Sequence, residues 1–290
     1  MKQLLILSGK GGTGKTTIAS AFIKLANVRA FADCDVDAPN LHLIMNQMGE
    51  PIRSNYYGLN KARINEEQCI GCGICSQNCR FDAISEKDGV YEVDPFGCEG
   101  CSVCEALCPV KAVEMIPAIA GELMLYKKDK AAFSTAQLKM GSGTSGMLVT
   151  RVKKQMNDAA DPQTEMAIID GSPGIGCPVI ASLSGVDIVL IVAEPSLSGI
   201  SDMERIVKTA RHFGVMMAIC VNKYDTNLNN TQKIKEYAAA ENIVFVGTIP
   251  FDENAGKAIN RGLSVVDIPC PAQQAVEKLF FTTMELLKDK

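Results

Sequence analysis

The sequence predicts an α/β fold, a mostly parallel sheet flanked by helices and interrupted by a small α+β insertion rich in cysteine. Two observations predict it. Short apolar runs alternate with amphipathic segments before about residue 58 and again from about Leu148 onward. Between them, eight of the 12 cysteines are crowded into the stretch from Cys69 to Cys108. Candidate strands are Gln3 to Leu7, Ala30 to Asp33, Met166 to Asp170, Ile188 to Ala193, Met216 to Asn222 and Val244 to Thr248. They are nearly all apolar, as a sheet covered on both faces requires. The expected division is 1–58 and 119–290 for the two parts of one α/β domain, with 59–118 as the insertion.

Composition narrows the function. A chain of 290 residues with 47% hydrophobic and 21% charged residues buries a substantial core and is not disordered. Its net charge of -4 gives no general attraction to nucleic acid or anionic lipid. The apolar run from Leu4 stops at Ser8, too short for a signal-peptide core or a membrane span, so the expected location is the cytoplasm. There, clustered cysteines point to metal or redox work rather than to disulfides.

The first strand runs directly into Gly9-Lys10-Gly11-Gly12-Thr13-Gly14-Lys15-Thr16, which fits the phosphate-binding pattern GxxxxGK[ST] and precedes a helical segment. Such a loop turns the backbone N–H groups of Gly11, Gly12, Thr13 and Gly14 toward phosphate oxygens, and the following helix adds its positive end. Lys15 is placed for the β and γ phosphates, the Thr16 hydroxyl for Mg²⁺ and Thr17 for the α phosphate. A plain glycine-rich turn is the alternative reading of the string alone.

With Lys10 the loop reads KGGTGKT, and on that motif the chain resembles the deviant Walker A ATPases of the MinD, ParA and Mrp type. The resemblance implies ATP/ADP as ligand, hydrolysis with Mg²⁺, and a dimer in which Lys10 reaches the nucleotide of the partner, an identical chain or a paralogous ATPase. It likens Asp33-Cys34-Asp35-Val36-Asp37-Ala38-Pro39-Asn40 to the first switch, with Asp35 orienting the attacking water and Asp33 near the magnesium. The strand ending at Asp170, with Gly171-Ser172-Pro173-Gly174, is similar to a Walker B joined to the second switch. Asp170 is then expected to hold Mg²⁺ through water, and the Gly174 N–H to meet the γ phosphate. Asn222, at the end of another strand, resembles the adenine contact, and Pro250 lies in the run that resembles the adenine-flanking loop. Lys223 and Asp225 beside it also fit ordinary exposed turn residues.

Inside the insertion Cys69, Cys72, Cys75 and Cys79 follow the spacing Cys-x2-Cys-x2-Cys-x3-Cys, and Cys98, Cys101, Cys104 and Cys108-Pro109 repeat it. This is the run of a bacterial ferredoxin with two [4Fe-4S] clusters, in which the fourth cysteine of each run serves the other cluster. One cluster is therefore assigned to Cys69, Cys72, Cys75 and Cys108, the other to Cys98, Cys101, Cys104 and Cys79. Four closely spaced ligands in each run fit tetrahedral zinc poorly. Arg80 stands where a proline usually follows the fourth cysteine.

The remaining signals are weaker. Cys177 reads as a small buried thiol, with a contact between subunits as the alternative, and Cys34 is equally open. Cys220 and Cys270 read as packing or loop residues, and His42 and His212 carry no ligand spacing. Residues 122–156 read as a flexible linker followed by a helical stretch, beside the insertion and the switches. The segment Ala272 to Lys290 reads as an amphipathic helix docked on the domain rather than on membrane, because Glu277, Glu285 and Asp289 dilute Lys278, Lys288 and Lys290. Two functions fit the whole: a nucleotide-driven dimer cycle coupled to electron transfer or to delivery of a metal or iron-sulfur cofactor to a partner, or a positioning or scaffold ATPase with structural or sensory clusters.

Overall fold

In the computed structural model, residues 1–45 and 48–288 are described. Two of the charges weighed in the C-terminal segment, Asp289 and Lys290, lie outside them. In chain order the elements are β1 (Lys2–Ser8), α1 (Lys15–Ala26), β2 (Ala30–Asp33), α2 (Leu41–Ile44) and β3 (Ile52–Tyr57). Next come β4 (Lys61–Ile64), α3 (Ile74–Gln77), β5 (Ile84–Lys87), β6 (Val90–Val93), α4 (Val103–Leu107) and β7 (Val113–Ile116). Then follow β8 (Ile119–Lys128), β9 (Ala131–Leu138), α5 (Ser145–Ala159), β10 (Met166–Asp170), α6 (Cys177–Leu183) and β11 (Ile188–Ala193). The chain closes with α7 (Leu197–His212), β12 (Met216–Asn222), α8 (Leu228–Ala240), β13 (Val244–Ile249), α9 (Glu253–Asn260) and α10 (Pro271–Lys288).

The main sheet has nine strands in the order β13-β12-β11-β1-β10-β2-β9-β8-β3. From β13 to β9 every pairing is parallel; β8 and β3 add an antiparallel edge. Alternation along β1 explains its unbroken apolar run. Leu5 and Leu7 enter the core under α5, α6, α7 and α8, while Leu4 and Ile6 enter the core under α1 and α10. Because the strands are parallel and in register, Ile6 pairing with Asp170 and Asp170 with Asp33, their C-terminal ends form one edge. Ligands in open α/β sheets bind along such an edge.

All six predicted strands are present. What the sequence reading took as a linker is different. Residues 119–138 form the β8–β9 hairpin, which widens the sheet, and only 139–144 remain as a connection. The hairpin belongs to the core because its aromatic side chains stack across strands: Phe133 lies 4.9 Å from Phe31 and 5.1 Å from Tyr126, ring centre to ring centre. The predicted C-terminal helix docks as expected, burying Val276, Leu279, Phe280 and Leu287, although Phe281 faces outward. Among the described residues no helix is long and apolar enough to cross a membrane.

The cysteine-rich segment leaves the main sheet after β3 and returns at β8, and its two ends are joined where the Gly58 N–H donates to the Ala118 carbonyl at 3.3 Å. Between them lie the antiparallel pairs β4–β7 and β5–β6. Its own core is only Ala62, Ala83, Ile84, Cys98, Cys104 and Val113. A unit this small does not stabilise itself by apolar burial, and two of its six core residues, Cys98 and Cys104, are thiols.

Phe133 is fully buried at the centre of the aromatic stack. Phe133→Ala is expected to cost about 3–5 kcal/mol. A lowered denaturant midpoint with the slope unchanged would show it.

Candidate functional site

The loop after β1 wraps the start of α1. Gly14 has φ of 90°, and a methyl group there would lie 2.3 Å from Asn222 Nδ2, so only glycine fits. Behind it, Asp170 is fully buried at the end of β10. Lys15 donates to Asp170 Oδ1, and the Thr16 hydroxyl donates to Oδ2 at 2.6 Å. Burial lowers the Lys15 amine, but Asp170, Asp33 and Asp35 outweigh that and hold it above the usual lysine value. Carboxylate, hydroxyl and ammonium thus meet at one point, the set required to hold a divalent cation and phosphate oxygens together.

The first acidic loop follows β2. Its Asp33 is fully buried, and burial followed by the Asp170 charge pushes its carboxyl up to about 7. Both Asp33 oxygens are taken by backbone: Oδ1 accepts from the Asp35 N–H, and Oδ2 from the N–H groups of Asn40 and Leu41, all at 3.0 Å. Asp33, expected near the magnesium, lies beside Asp170 and Lys15 and through these bonds also ties the loop together. The half-buried Asp35 is the loop's second carboxylate beside Lys15, its own carboxyl raised by burial.

The second loop, 171–176, begins as Gly171 N–H donates to the Ile6 carbonyl. The Gly174 N–H donates to the Ser8 carbonyl at 3.0 Å, so this amide lies against the base of the phosphate loop. Its helix, α6, is held at the far end by Lys153, whose ammonium donates to the carbonyls of Ser182 at 2.7 Å and Ser184 at 2.5 Å. Burial lowers the Lys153 amine.

On the other side a cavity of about 270 Å³ is lined by Gly12, Gly14, Thr17, Asn222 and Pro250, among others. The Asn222 amide donates to the Thr13 carbonyl at 2.8 Å, and Asp225 accepts from the Phe251 N–H at 2.8 Å. Two residues the sequence left as turn positions are therefore parts of the site. Lys223 donates to the Gly12 carbonyl at 3.1 Å and Asp225 fixes the loop after Pro250.

Sequence reasoning missed Glu194. It follows the wholly apolar β11 and pairs with Lys10 at 2.9 Å and with Lys223 at 3.2 Å. Burial raises the Glu194 carboxyl, but hydrogen bonds from the two lysines outweigh it and hold it below the usual range. Lys10 also donates to Ser196 Oγ at 3.3 Å and Ser198 Oγ at 3.4 Å, so within one chain it is turned to its own Glu194 loop. A carboxylate closing an apolar strand at the ligand edge was the available signal. Lys153 was legible too, as a lysine on the apolar face of α5 beside Val149, Val152 and Met156. The expectation of a buried thiol at Cys177 is corrected: it is exposed, because α6 buries Val179, Ser182 and Leu183 and turns its first residue outward. Cys34, Cys220 and Cys270 are buried.

In the cysteine-rich unit, one apolar hollow is lined by Cys69, Cys72, Cys75 and Cys108, a second by Cys79, Cys98, Cys101 and Cys104. The structure thus brings together the two crossed sets. The Ala112 N–H donates to Cys108 Sγ at 3.2 Å and the Ala62 N–H to Cys98 Sγ at 3.5 Å. Among the described residues, no three His, Cys, Asp or Glu side chains form a chelate for a single ion. Four thiols spread around a hollow fit a cubane better than mononuclear zinc.

Residues 4–265 match the family described as the CobQ/CobB/MinD/ParA nucleotide binding domain, and the chain belongs to that family. An uncharacterized protein of Methanocaldococcus jannaschii is 32% identical, over 98% of this chain and 97% of its own length. An iron-sulfur cluster carrier protein of Methanococcus maripaludis is 23% identical over 99% of this chain and 85% of its own. A ferredoxin of Sorangium cellulosum is 43% identical over 51 residues, covering 16% of this chain and 50% of its own. Among solved structures, the septum site-determining protein MinD of Pyrococcus horikoshii, complexed with Mg-ADP, superposes with a TM-score of 0.59 at 14% identity, covering 99% of this chain and 97% of that one. At that identity the likeness shows the fold alone. The chain is a P-loop protein of the MinD/ParA type carrying a segment similar to ferredoxins.

Asp33 gives the site a pH signature. Its folded value of about 7 lies above the model-peptide value of 3.8, so its protonated form is the one the fold favours. Its contribution is full below about pH 4 and is lost as pH rises through about 7. Relative to wild type, nucleotide-free Asp33→Asn should gain thermal stability across that interval, which paired melting curves against pH would show.

Proposed function

We propose that this chain binds and hydrolyses Mg-ATP in a two-chain assembly, and that the nucleotide cycle is coupled to two [4Fe-4S] clusters so as to gate the transfer of electrons, or of a metal or iron-sulfur cofactor, to a partner protein. One observation carries the reading. A nucleotide edge with Lys15, Thr16 and Asp170 in contact and two hollows of four cysteines occur in one chain, the cysteine-rich unit being inserted between the strands that bear the first acidic loop and the 171–176 loop. The family match supports the nucleotide half, and two relatives named an iron-sulfur cluster carrier and a ferredoxin support the cluster half.

In this reading the amides of Gly11, Gly12, Thr13 and Gly14 cradle the phosphates, Lys15 neutralises the β and γ oxygens, and Thr17 holds the α phosphate. Thr16 and Asp170 would hold Mg²⁺. Asp35 orients the attacking water, and Asn222 and Pro250 bracket the base. Lys10 and Gly174 each have to exchange a contact within the chain for one with nucleotide. Lys10 leaves Glu194 to stabilise charge on the partner's transferred phosphoryl group, and the Gly174 N–H leaves the Ser8 carbonyl for the γ phosphate. Hydrolysis reverses both. Bound in the two hollows, the clusters would supply one-electron redox chemistry. The family match, whose description includes MinD and ParA, also admits a second reading, a positioning or scaffold ATPase whose clusters are structural or sensory.

Anaerobic redox titration followed by electron paramagnetic resonance, without nucleotide, with ADP and with a non-hydrolysable ATP analogue, separates the two. A potential or line shape that depends on nucleotide supports gating, whereas identical clusters in all three states favour the scaffold. Lys10→Ala, Lys15→Ala and Asp35→Ala are each expected to abolish phosphate release and leave the iron content unchanged. Cys72→Ser and Cys101→Ser should each remove about four irons per chain.

A further inference from the structure

The connection 139–144, between β9 and α5, touches three functional parts of the molecule. At its start, the Leu138 N–H donates to the Val36 carbonyl at 2.8 Å and the Gln137 amide to the Asp37 carbonyl at 3.1 Å, both in the first acidic loop. In its middle it lies against the cysteine loop 94–101. A methyl group on Gly141 would sit 3.7 Å from the Phe96 ring, and one on Gly143 would sit 2.8 Å from a Glu99 carboxylate oxygen. Just past its end, a methyl on Gly146 would meet Cβ and the carbonyl oxygen of Cys177 at 3.1 Å, in the first turn of α6.

The last contact matters because α6 is tied to α5 at both of its ends. Gly146 packs on Cys177 at one, and Lys153 grips the carbonyls of Ser182 and Ser184 at the other. The two helices therefore move as one body, and that body begins directly after the second loop with Gly174. Any nucleotide-driven shift of either loop displaces the connection, and the connection rests on Phe96 and Glu99, which flank Cys98. Both hollows are lined by residues of the inserted unit, so the difference lies in the loops around them: Gly71 and Gly73, in the loop of the other set, face Gly89 and Tyr91 of the same unit, and Ile70 is 64% exposed.

We propose that the two cysteine sets are inequivalent: the set Cys79, Cys98, Cys101 and Cys104 is the one coupled to the nucleotide, through the connection 139–144 and the α5–α6 body, while the set Cys69, Cys72, Cys75 and Cys108 is the outward one. This rests on the reading that nucleotide and clusters communicate, and it names the route.

The test uses the full chain with its clusters in place, followed by electron paramagnetic resonance with ADP and with a non-hydrolysable ATP analogue. Cys72→Ser leaves the inner set intact and Cys101→Ser the outer set. Phe96→Ala, an exposed position, and Gly146→Ala disturb the two ends of the route while leaving all eight cysteines. The expected result is a nucleotide-dependent shift in wild type and in Cys72→Ser, none in Cys101→Ser, and a diminished shift in Phe96→Ala and Gly146→Ala at unchanged iron content. A shift that persists in Cys101→Ser, or that survives both route variants undiminished, overturns the inference and leaves the gated function standing. No shift in wild type overturns both.

Discussion

The buried carboxylate of Asp170 is the interaction on which the arrangement depends. Fully removed from water, it is tolerable only because Lys15 and Thr16, at the start of α1, compensate it directly. Breaking such a buried pair from one side leaves a charge without a partner and costs about 3–5 kcal/mol. The contact therefore fixes the start of α1 against the end of β10. It also sets the electrostatics of its neighbours, since the same charge helps push Asp33 toward protonation and holds Lys15 ionised. A cation and a triphosphate would enter a site already organised around opposite charges, where Lys15, Thr16 and Asp170 exchange contacts with one another for contacts with the ligand.

From that point the parallel sheet distributes function along one edge. The strands β2, β10, β1, β11 and β12 end in the acidic loop, Asp170, the phosphate loop, Glu194 and Asn222. Each of these residues has a side chain or amide that can hold a partner within the chain or a ligand. Lys10 on Glu194 and Gly174 on Ser8 are contacts of this kind. They give the site alternatives of comparable chemistry, charge for charge and carbonyl for phosphate oxygen, which is the condition for a switch with two states close in energy.

The inserted unit is built on a different constraint. Its apolar core is too small to define its structure, so the turns are closed by backbone contacts and by the cysteine sets themselves. Its attachment is not confined to the paired chain ends at Gly58 and Ala118, because the connection 139–144 leans on the loop around Cys98 from the other side. A unit held at two places can report strain between them. One held by its ends alone swings freely.

Much of this was legible in the sequence. Six strands, the phosphate loop and both cysteine runs followed from local pattern: unbroken apolar stretches, glycine spacing and the x2-x2-x3 rhythm of the thiols, while Asp170 and Asn222 were singled out by resemblance to the family. These features are local because the chemistry they serve is built from neighbours along the chain. Tertiary structure alone decided the rest. Residues 119–138 carry too many polar side chains to read as a sheet strand pair until Phe31 is seen stacked on Phe133. Glu194, Lys153 and Asp33 acquire their roles from partners far away in sequence, respectively Lys10, the carbonyls closing α6, and Asp170. The crossing of the cysteine sets could be read from spacing, but which set lies beside the connection 139–144 could not. That depends on how the inserted unit is turned against the sheet, and such an orientation is set by packing between segments that share no pattern in the chain.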